Sequence, residues 1–242
     1  MGRPSLIDEG ASTSLLGLLK NQVVRSGSEP RVIRTGAFQG LRMHLDLRRQ
    51  AQICLGLYER ELHASLRAFG RDAVTALDVG ASDGAYSLYL LERTPARTIY
   101  AFEPDPAARE LLLSNLQLNG LDRDPRLRLF SAAAGSGATP GTVALDSLLS
   151  SIELPCLAKV DVEGQEAEVL AGAAKLLARG GISWIIETHS LALEQTCVGL
   201  LERHGLTVRI VSPAWWRFAV PEARPIAHNR WLVATAKGMA AP

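Results

Sequence analysis

The stretch LDVGASDGAYSLYL, residues 77–90, decides the fold. A short apolar run closes on Asp78-Val79-Gly80, turns through Ala81-Ser82-Asp83-Gly84, and continues into a helical pattern. A buried strand feeding a glycine-bearing turn and then a helix is the opening of a βαβ unit. Glycines at 80 and 84 suit a tight turn and close approach of the backbone to a ligand. The start of the following helix offers unpaired N–H groups.

Downstream of this unit the pattern repeats. Strands are predicted over 74–79, 98–102, 127–134, 157–162, 182–187, 206–211 and 231–236. Helices are predicted over 87–92, 106–118, 165–178 and 191–204, with a short helical or turn element at 145–149. Such alternation indicates a parallel sheet with right-handed crossovers. Upstream, 31–49 reads as a hairpin around Gly36 and Gly40, and 50–69 as one helix. The chain therefore divides into a partly ordered leader (1–30, with an apolar stretch at 14–24), an N-terminal extension or substrate cap (31–70) and an α/β domain (71–242).

Composition excludes several classes. The 242 residues are 47% hydrophobic and 21% charged, and 26 basic against 25 acidic residues leave a net charge of +1. A chain this neutral is a poor candidate for binding through a basic nucleic-acid face, so no nucleic-acid partner is expected. It is too apolar to be disordered as a whole. No apolar run reaches the ~20 residues that span a bilayer, so no stable membrane insertion is expected. No signal-peptide pattern is read at the N-terminus. Cys54, Cys156 and Cys197 are widely spaced, which gives neither a disulfide framework nor zinc spacing. A reduced, cytoplasmic protein is expected.

In a parallel sheet, ligands sit beyond the carboxyl ends of the strands. After the first strand, Ser82 stands where a dinucleotide fingerprint needs its second glycine, and Asp78 and Asp83 would repel a pyrophosphate. Those carboxylates suit a ligand bearing an amino group or other positive charge. After the second strand, Glu103 and Pro104 precede Asp105, which is placed to cap the helix beginning at Pro106. Glu103 is thus left to accept from ribose hydroxyls. An acidic glycine loop with a ribose-binding Glu points to S-adenosylmethionine, whose sulfonium and amino group are cationic.

After the fourth strand, alternation places Lys159, Asp161 and Glu163 on one face. Ionisable residues at a buried strand end are costly unless paired or functional. The structural alternative is a Lys159–Asp161 pair with Glu163 opening the next helix; Glu166 and Glu168 read as first-turn charges on that helix. After the fifth strand come Glu187 and His189. His189 is the first candidate for a general base and Asp161 the second, with Lys159 orienting Asp161 or lowering its pKa. Asp161, Glu187 and His189 also offer the ligand atoms that Mg²⁺ or Mn²⁺ accepts. His44 and Asp46 are further polar candidates at the entrance. Trp215, Trp216 and Phe218, in the loop over 212–230, suit stacking on a sugar or apolar acceptor, and suit equally well covering the sheet end or forming a homodimer contact.

Together, LDVGASDGAYSLYL (77–90), YAFEPDPAARELLLSNLQLNG (100–120), VALDSLL (143–149), AKVDVEGQEAEVLAGAAKLL (158–177) and WIIETHS (184–190) resemble the FkbM-type family of S-adenosylmethionine-dependent methyltransferases. Gly56-Leu57-Tyr58-Glu59 is similar to that family's segment before the core, and the resemblance covers roughly residues 38–236. It implies a Rossmann-like seven-stranded sheet, ordered 3-2-1-4-5-7-6 with the last strand antiparallel, and O-methylation of a sugar, glycan or natural-product hydroxyl. It further implies that Asp78, Gly80, Ala81, Ser82 and Gly84 surround the methionine part of the cofactor. Glu103 and Pro104 would lie at the ribose, Ala132 and Ala133 would flank the adenine, and Asp161 and Glu163 would lie near the transferred methyl. The chain departs from the family at 82 and 83, where many members carry Asn. Competing readings are a nicotinamide oxidoreductase, a cofactor-binding module without turnover, and an RNA methyltransferase.

Overall fold

Val79, Leu77 and Thr75 alternate in direction with Asp78 and Ala76, yet all five are buried, so the strand must be covered on both faces. The computed structural model, which describes residues 27–218, 228 and 230–238, places this strand near the middle of a seven-stranded sheet. In chain order the strands are β1 (Glu29–Val32), β2 (Arg42–Leu45), β3 (Thr75–Val79), β4 (Thr98–Phe102), β5 (Leu127–Phe130), β6 (Ala133–Ala134), β7 (Thr142–Val143), β8 (Cys156–Val160), β9 (Ile182–Thr188), β10 (Leu206–Val211) and β11 (Arg230–Ala236). The main sheet runs β10-β11-β9-β8-β3-β4-β5. Only β11 is antiparallel to its neighbours, β9 and β10. This is the order that the resemblance implies, a Rossmann-like sheet with helices on both faces.

The helices are α1 (Leu47–Cys54), α2 (His63–Gly70), α3 (Ala85–Arg93), α4 (Pro106–Leu118), α5 (Glu166–Ala171), α6 (Ala174–Arg179) and α7 (Leu191–Arg203). Asp105 caps α4 by accepting from Ala108 N–H at 2.9 Å, and Ser190 caps α7 through Leu193 N–H at 3.1 Å. Three expectations need correction. The single helix over 50–69 is two helices, because Gly56 and Glu59 adopt left-handed backbone with φ of 74° and 42°. The helix over 165–178 breaks at Gly172, whose Cβ would sit 1.9 Å from the Gly135 carbonyl oxygen. The strand over 127–134 ends at Phe130, and Ala133–Ala134 pairs separately with Thr142–Val143.

The two faces of the sheet have separate apolar cores. One holds Leu77, Val79, Ala158, Val160, Trp184, Ile186 and Leu232 against α5, α6 and α7. The other holds Ala76, Leu157, Ile185, Trp231 and Val233, together with Phe38, Met43, Leu45, Leu62 and Leu66 from upstream. Residues 31–70 therefore share the core of the second face. The β1–β2 hairpin is fastened to α4 by two asparagines. Asn115 accepts from His44 N–H at 2.8 Å and donates to the Asp83 carbonyl at 2.7 Å. Asn119 accepts from Arg42 N–H at 2.9 Å and donates to its carbonyl at 2.7 Å. These amides supply the partners a neighbouring strand would otherwise give.

The expected leader lies outside the described residues up to position 26, as does most of the loop over 219–229 and the side chains of Trp216 and Phe218. Trp215 is exposed. The described start of that loop is tied to the extension: Arg217 donates to Glu61 at 2.5 and 2.6 Å, and Ala214 N–H donates to Glu61 at 2.7 Å. Burial acts to raise the Glu61 carboxyl, but these donors hold it below its ordinary value.

Candidate active site

The turn after β3 has almost no backbone amide to spare. Gly80 and Ala81 N–H both donate to the Phe102 carbonyl at 2.9 Å, and Gly84 N–H donates to Ala81 at 2.8 Å. Ser82 N–H donates to Glu103 Oε2 at 2.8 Å, and Ala85 N–H to Asp83 Oδ1 at 3.3 Å. A phosphate-binding loop needs such amides free and convergent. Here they are spent on the protein. Gly80 is required, but for a reason other than the expected approach of a ligand. Its φ is 82°, and a Cβ would fall 1.9 Å from the Asp161 carbonyl oxygen. The close approach is between two strand ends.

What this turn presents instead are carboxylates. Asp78 is buried and accepts from Ser87 Oγ at 2.6 Å. Burial, only partly offset by that bond and by Lys159, pushes its carboxyl up to about 6. Burial likewise pushes Asp83 up to about 6. Glu103 spans two elements, accepting from Ser82 N–H and, at 2.9 Å, from Asp105 N–H. Each of its oxygens keeps a second acceptor site for a ligand. Pro104 follows at the mouth, and its carbonyl accepts from Arg109 at 2.6 Å. Ala132 and Ala133 are half-buried just beyond β5.

A second group of polar residues gathers beyond β8 and β9. The sheet register pairs Asp78 with Lys159, and Val160 with Ile186, which brings Asp161 beside Glu187. All four side chains issue from the face covered by the N-terminal extension. Lys159 is buried, with Nζ 3.2 Å from Asp161 Oδ2, 3.8 Å from Glu59 Oε2 and 4.6 Å from the centre of the Tyr86 ring. Burial acts to lower its pKa, but Asp161, Glu59 and Glu187 outweigh that and raise it, so Lys159 stays an ammonium. Tyr86 donates to Glu59. Burial and the Glu59 charge raise both Tyr86 and Tyr58 well above the ordinary phenol.

His189 lies at the open side of this group. Its Nε2 is 3.7 Å from Asp161 Oδ1 and 3.9 Å from Glu187 Oε1, and its Nδ1 is hydrogen-bonded to Glu166. Burial would lower its pKa, but Glu166 and Asp161 raise it. Glu187 also accepts from Trp231 Nε1 at 3.3 Å. The structure thus joins Lys159, Asp161, Glu187 and His189 as the sequence suggested.

One expectation here needs correction. Glu163 is exposed, and Glu166 takes its place in the group. Glu166 sits in the first turn of α5, as expected, and is fully buried against His189. Glu59, singled out only as part of the segment 56–59, was not expected in this group, and it has a left-handed backbone in the turn before α2. Neither has a sequence signal of its own beyond an acidic residue in an apolar neighbourhood. His44 and Asp46 serve the fold: His44 Nε2 is 3.0 Å from Ser114 Oγ, and Asp46 caps α1 through Arg48 N–H at 2.9 Å.

No family model matches the chain, and no curated protein does. Solved structures do. The structure of methyltransferase FkbM from Methylobacillus flagellatus KT aligns with a TM-score of 0.55 and 18% identity, over 68% of this chain and 44% of that one. A SAM-dependent O-methyltransferase from Thermotoga maritima aligns with a TM-score of 0.51 and 16% identity, over 75% of this chain and 66% of that one. A precorrin 8w decarboxylase from Methanobacterium thermoautotrophicum aligns with a TM-score of 0.50 and 21% identity, over 73% and 88%. The chain spans less than half of the first of these proteins and about two thirds of the second. The likeness establishes the Rossmann-like methyltransferase fold. Among the described residues, no helix is long and apolar enough to cross a membrane.

Proposed function

We propose that the chain is an S-adenosylmethionine-dependent methyltransferase of the FkbM type that methylates a hydroxyl on a sugar, glycan or natural-product acceptor. The observation that carries this reading is the spent set of amides in the turn after β3, which leaves Asp78, Asp83 and Glu103 to meet the ligand. Such a turn repels a pyrophosphate and welcomes a cation, which argues against a nicotinamide cofactor. The donor set fits: Asp78 faces the positive methionine part, Gly80 to Gly84 shape the wall, Glu103 and Pro104 take the ribose, and Ala132 and Ala133 flank the adenine.

S-adenosylmethionine supplies an electrophilic methyl group. The chain's own residues position the acceptor and take its proton. When bound, the cofactor would pass its methyl carbon to the acceptor oxygen, with the electron pair of the carbon–sulfur bond kept by sulfur. The hydroxyl proton goes to His189 Nε2, because the bond to Glu166 holds the ring's other nitrogen as donor and turns the Nε2 lone pair toward Asp161 and Glu187. Asp161 is the second candidate for this proton. Lys159, a permanent ammonium, orients Asp161 and cannot act as a base at neutral pH. The extension over 31–70 acts as the acceptor-side cap, since it supplies Glu59 to the cluster and Glu61 to the 212–218 segment.

The test is parallel calorimetric titration with S-adenosylmethionine, S-adenosylhomocysteine and NAD. One-to-one binding of both adenosyl ligands with no NAD response is expected. Silence with both would remove the reading. Binding without transfer to any hydroxyl acceptor would leave the binding-module alternative standing, and transfer to RNA would replace the acceptor class.

A further inference from the structure

We infer that Asp161, Glu187 and His189 form a site for a divalent cation of the Mn²⁺ or Mg²⁺ type, which grips the acceptor through two adjacent oxygens. The role in gripping an acceptor rests on the O-methyl-transfer reading above; the cation site does not.

The three ligand atoms come from the ends of two adjacent parallel strands. One ligand atom from each of Asp161, Glu187 and His189 lies within 4.8 Å of the other two, with His189 Nε2 3.7 Å from Asp161 Oδ1 and 3.9 Å from Glu187 Oε1. Donor atoms bound to one Mg²⁺ at about 2.0–2.1 Å lie at most about 4.2 Å apart. The two pairs through His189 Nε2, at 3.7 and 3.9 Å, are already inside that limit.

The second observation is Glu166. It is fully buried, it holds His189 Nδ1, and its Oε2 has no hydrogen-bond partner among the described residues. Keeping a carboxylate out of water is costly. Here it fixes one tautomer and one ring orientation, so that Nε2 presents its lone pair between the two carboxylates. A carboxylate behind a histidine is the usual support of a metal-ligating imidazole. The surroundings act in the same direction: Glu59, Asp161, Glu166 and Glu187 stand around one ammonium, Lys159, and one imidazole. Two carboxylates and one imidazole match Mn²⁺ best, with Mg²⁺ also accepted.

Three protein ligands on an octahedral ion leave adjacent positions open. A vicinal diol or a hydroxyl beside a carbonyl can fill two of them; an isolated hydroxyl cannot. With the ion bound, His189 Nε2 is a ligand, and the ion takes over the part that His189 plays as base in the metal-free site. The ion lowers the pKa of the acceptor hydroxyl, whose proton passes to solvent before the oxygen attacks the methyl carbon.

Titration of the full chain with Mn²⁺, followed by electron paramagnetic resonance and calorimetry, tests this. One saturable site is expected. His189→Ala, Asp161→Asn and Glu187→Gln should each weaken it at least tenfold, and Glu166→Gln by about 10–100-fold. Retained S-adenosylhomocysteine binding serves as the folding control. No saturable Mn²⁺ site in the wild type, with or without S-adenosylhomocysteine, overturns the proposal whatever the variants do. So does unchanged Mn²⁺ affinity in His189→Ala. Binding of Mn²⁺ without any adenosyl ligand binding would keep the cation site and remove the methyltransferase reading. Water-proton relaxation of the Mn²⁺ form then tests the grip: 1,2-dihydroxybenzene should displace bound water and 1,3-dihydroxybenzene should not. Equal behaviour of the two probes overturns the two-oxygen grip.

Discussion

At the ends of β3 and β4, Glu103 reaches Ser82 across 21 residues of sequence and binds it through a backbone N–H. At the ends of β8 and β9, Lys159, Asp161, Glu187 and His189 meet Glu59, Tyr86, Glu166 and Trp231, which come from four further elements or turns. The first region is held by main-chain groups, so most side-chain changes leave its shape intact. The second is made of side chains that hold one another, so each change leaves a buried partner exposed to an unmatched charge.

The largest expected effect separates the two regions. His189→Ala should lower kcat by about 10²–10⁴-fold, the span attributed to proton transfer or its equivalent, with S-adenosylhomocysteine affinity unchanged. A matching loss of ligand affinity would show the two regions to be one. Glu103→Ala should do the reverse. It should weaken S-adenosylmethionine about 100-fold by calorimetry, from charge-assisted hydrogen bonds of about 1.5–3 kcal/mol each, and should leave Mn²⁺ binding intact.

Gly80→Ala probes the seam between the regions, because the added Cβ meets the Asp161 carbonyl oxygen. A loss of about 2–3 kcal/mol is expected, seen as a Tm lower by roughly 4–12 °C. An unchanged Tm would mean that the strand ends part freely.

The smallest effect is one of pH. Burial raises Asp78 from 3.8 to about 6, so the folded chain binds that proton more tightly than the unfolded chain does. Its contribution to stability is full below 3.8 and is lost as pH rises through about 6. The ionised form attracts a cationic ligand, so S-adenosylmethionine affinity should rise over the same interval, by up to about tenfold. Asp78→Asn should flatten this dependence, and an equal slope in the variant would move the titrating group elsewhere.

Much of the first region was legible in the sequence. The strand over 98–102, the helix over 106–118 and the strand over 206–211 have the predicted bounds, because apolar runs there are closed by Pro, Gly or a capping Asp. Glu103 could be picked out because Asp105 takes the cap. The reason for Gly80 was not legible, since its steric demand comes from a strand end 81 residues further on. In the second region, His189, Asp161 and Lys159 were legible because they stand at strand ends with a period of two. Glu163 was preferred to Glu166 for the same reason. That period ends with β8 at Val160, and the first turn of α5 rotates Glu166 inward instead. Asn115 and Asn119 lie within the quoted stretch 100–120; their work in fastening the hairpin depends on a strand more than 70 residues away.

By itself the sequence determined the order of strands and helices, the acidic turn after β3, and the ionisable residues at the strand ends. Each of these follows from local periodicity, turn chemistry and capping, which act over a few residues. Only the tertiary structure decided that Glu59 and Glu166 are buried, that Lys159 stays charged between carboxylates, and that Asp161, Glu187 and His189 converge. Those outcomes depend on sheet register and on the extension closing over one face. They are set by desolvation and charge pairing between residues that are distant in the chain.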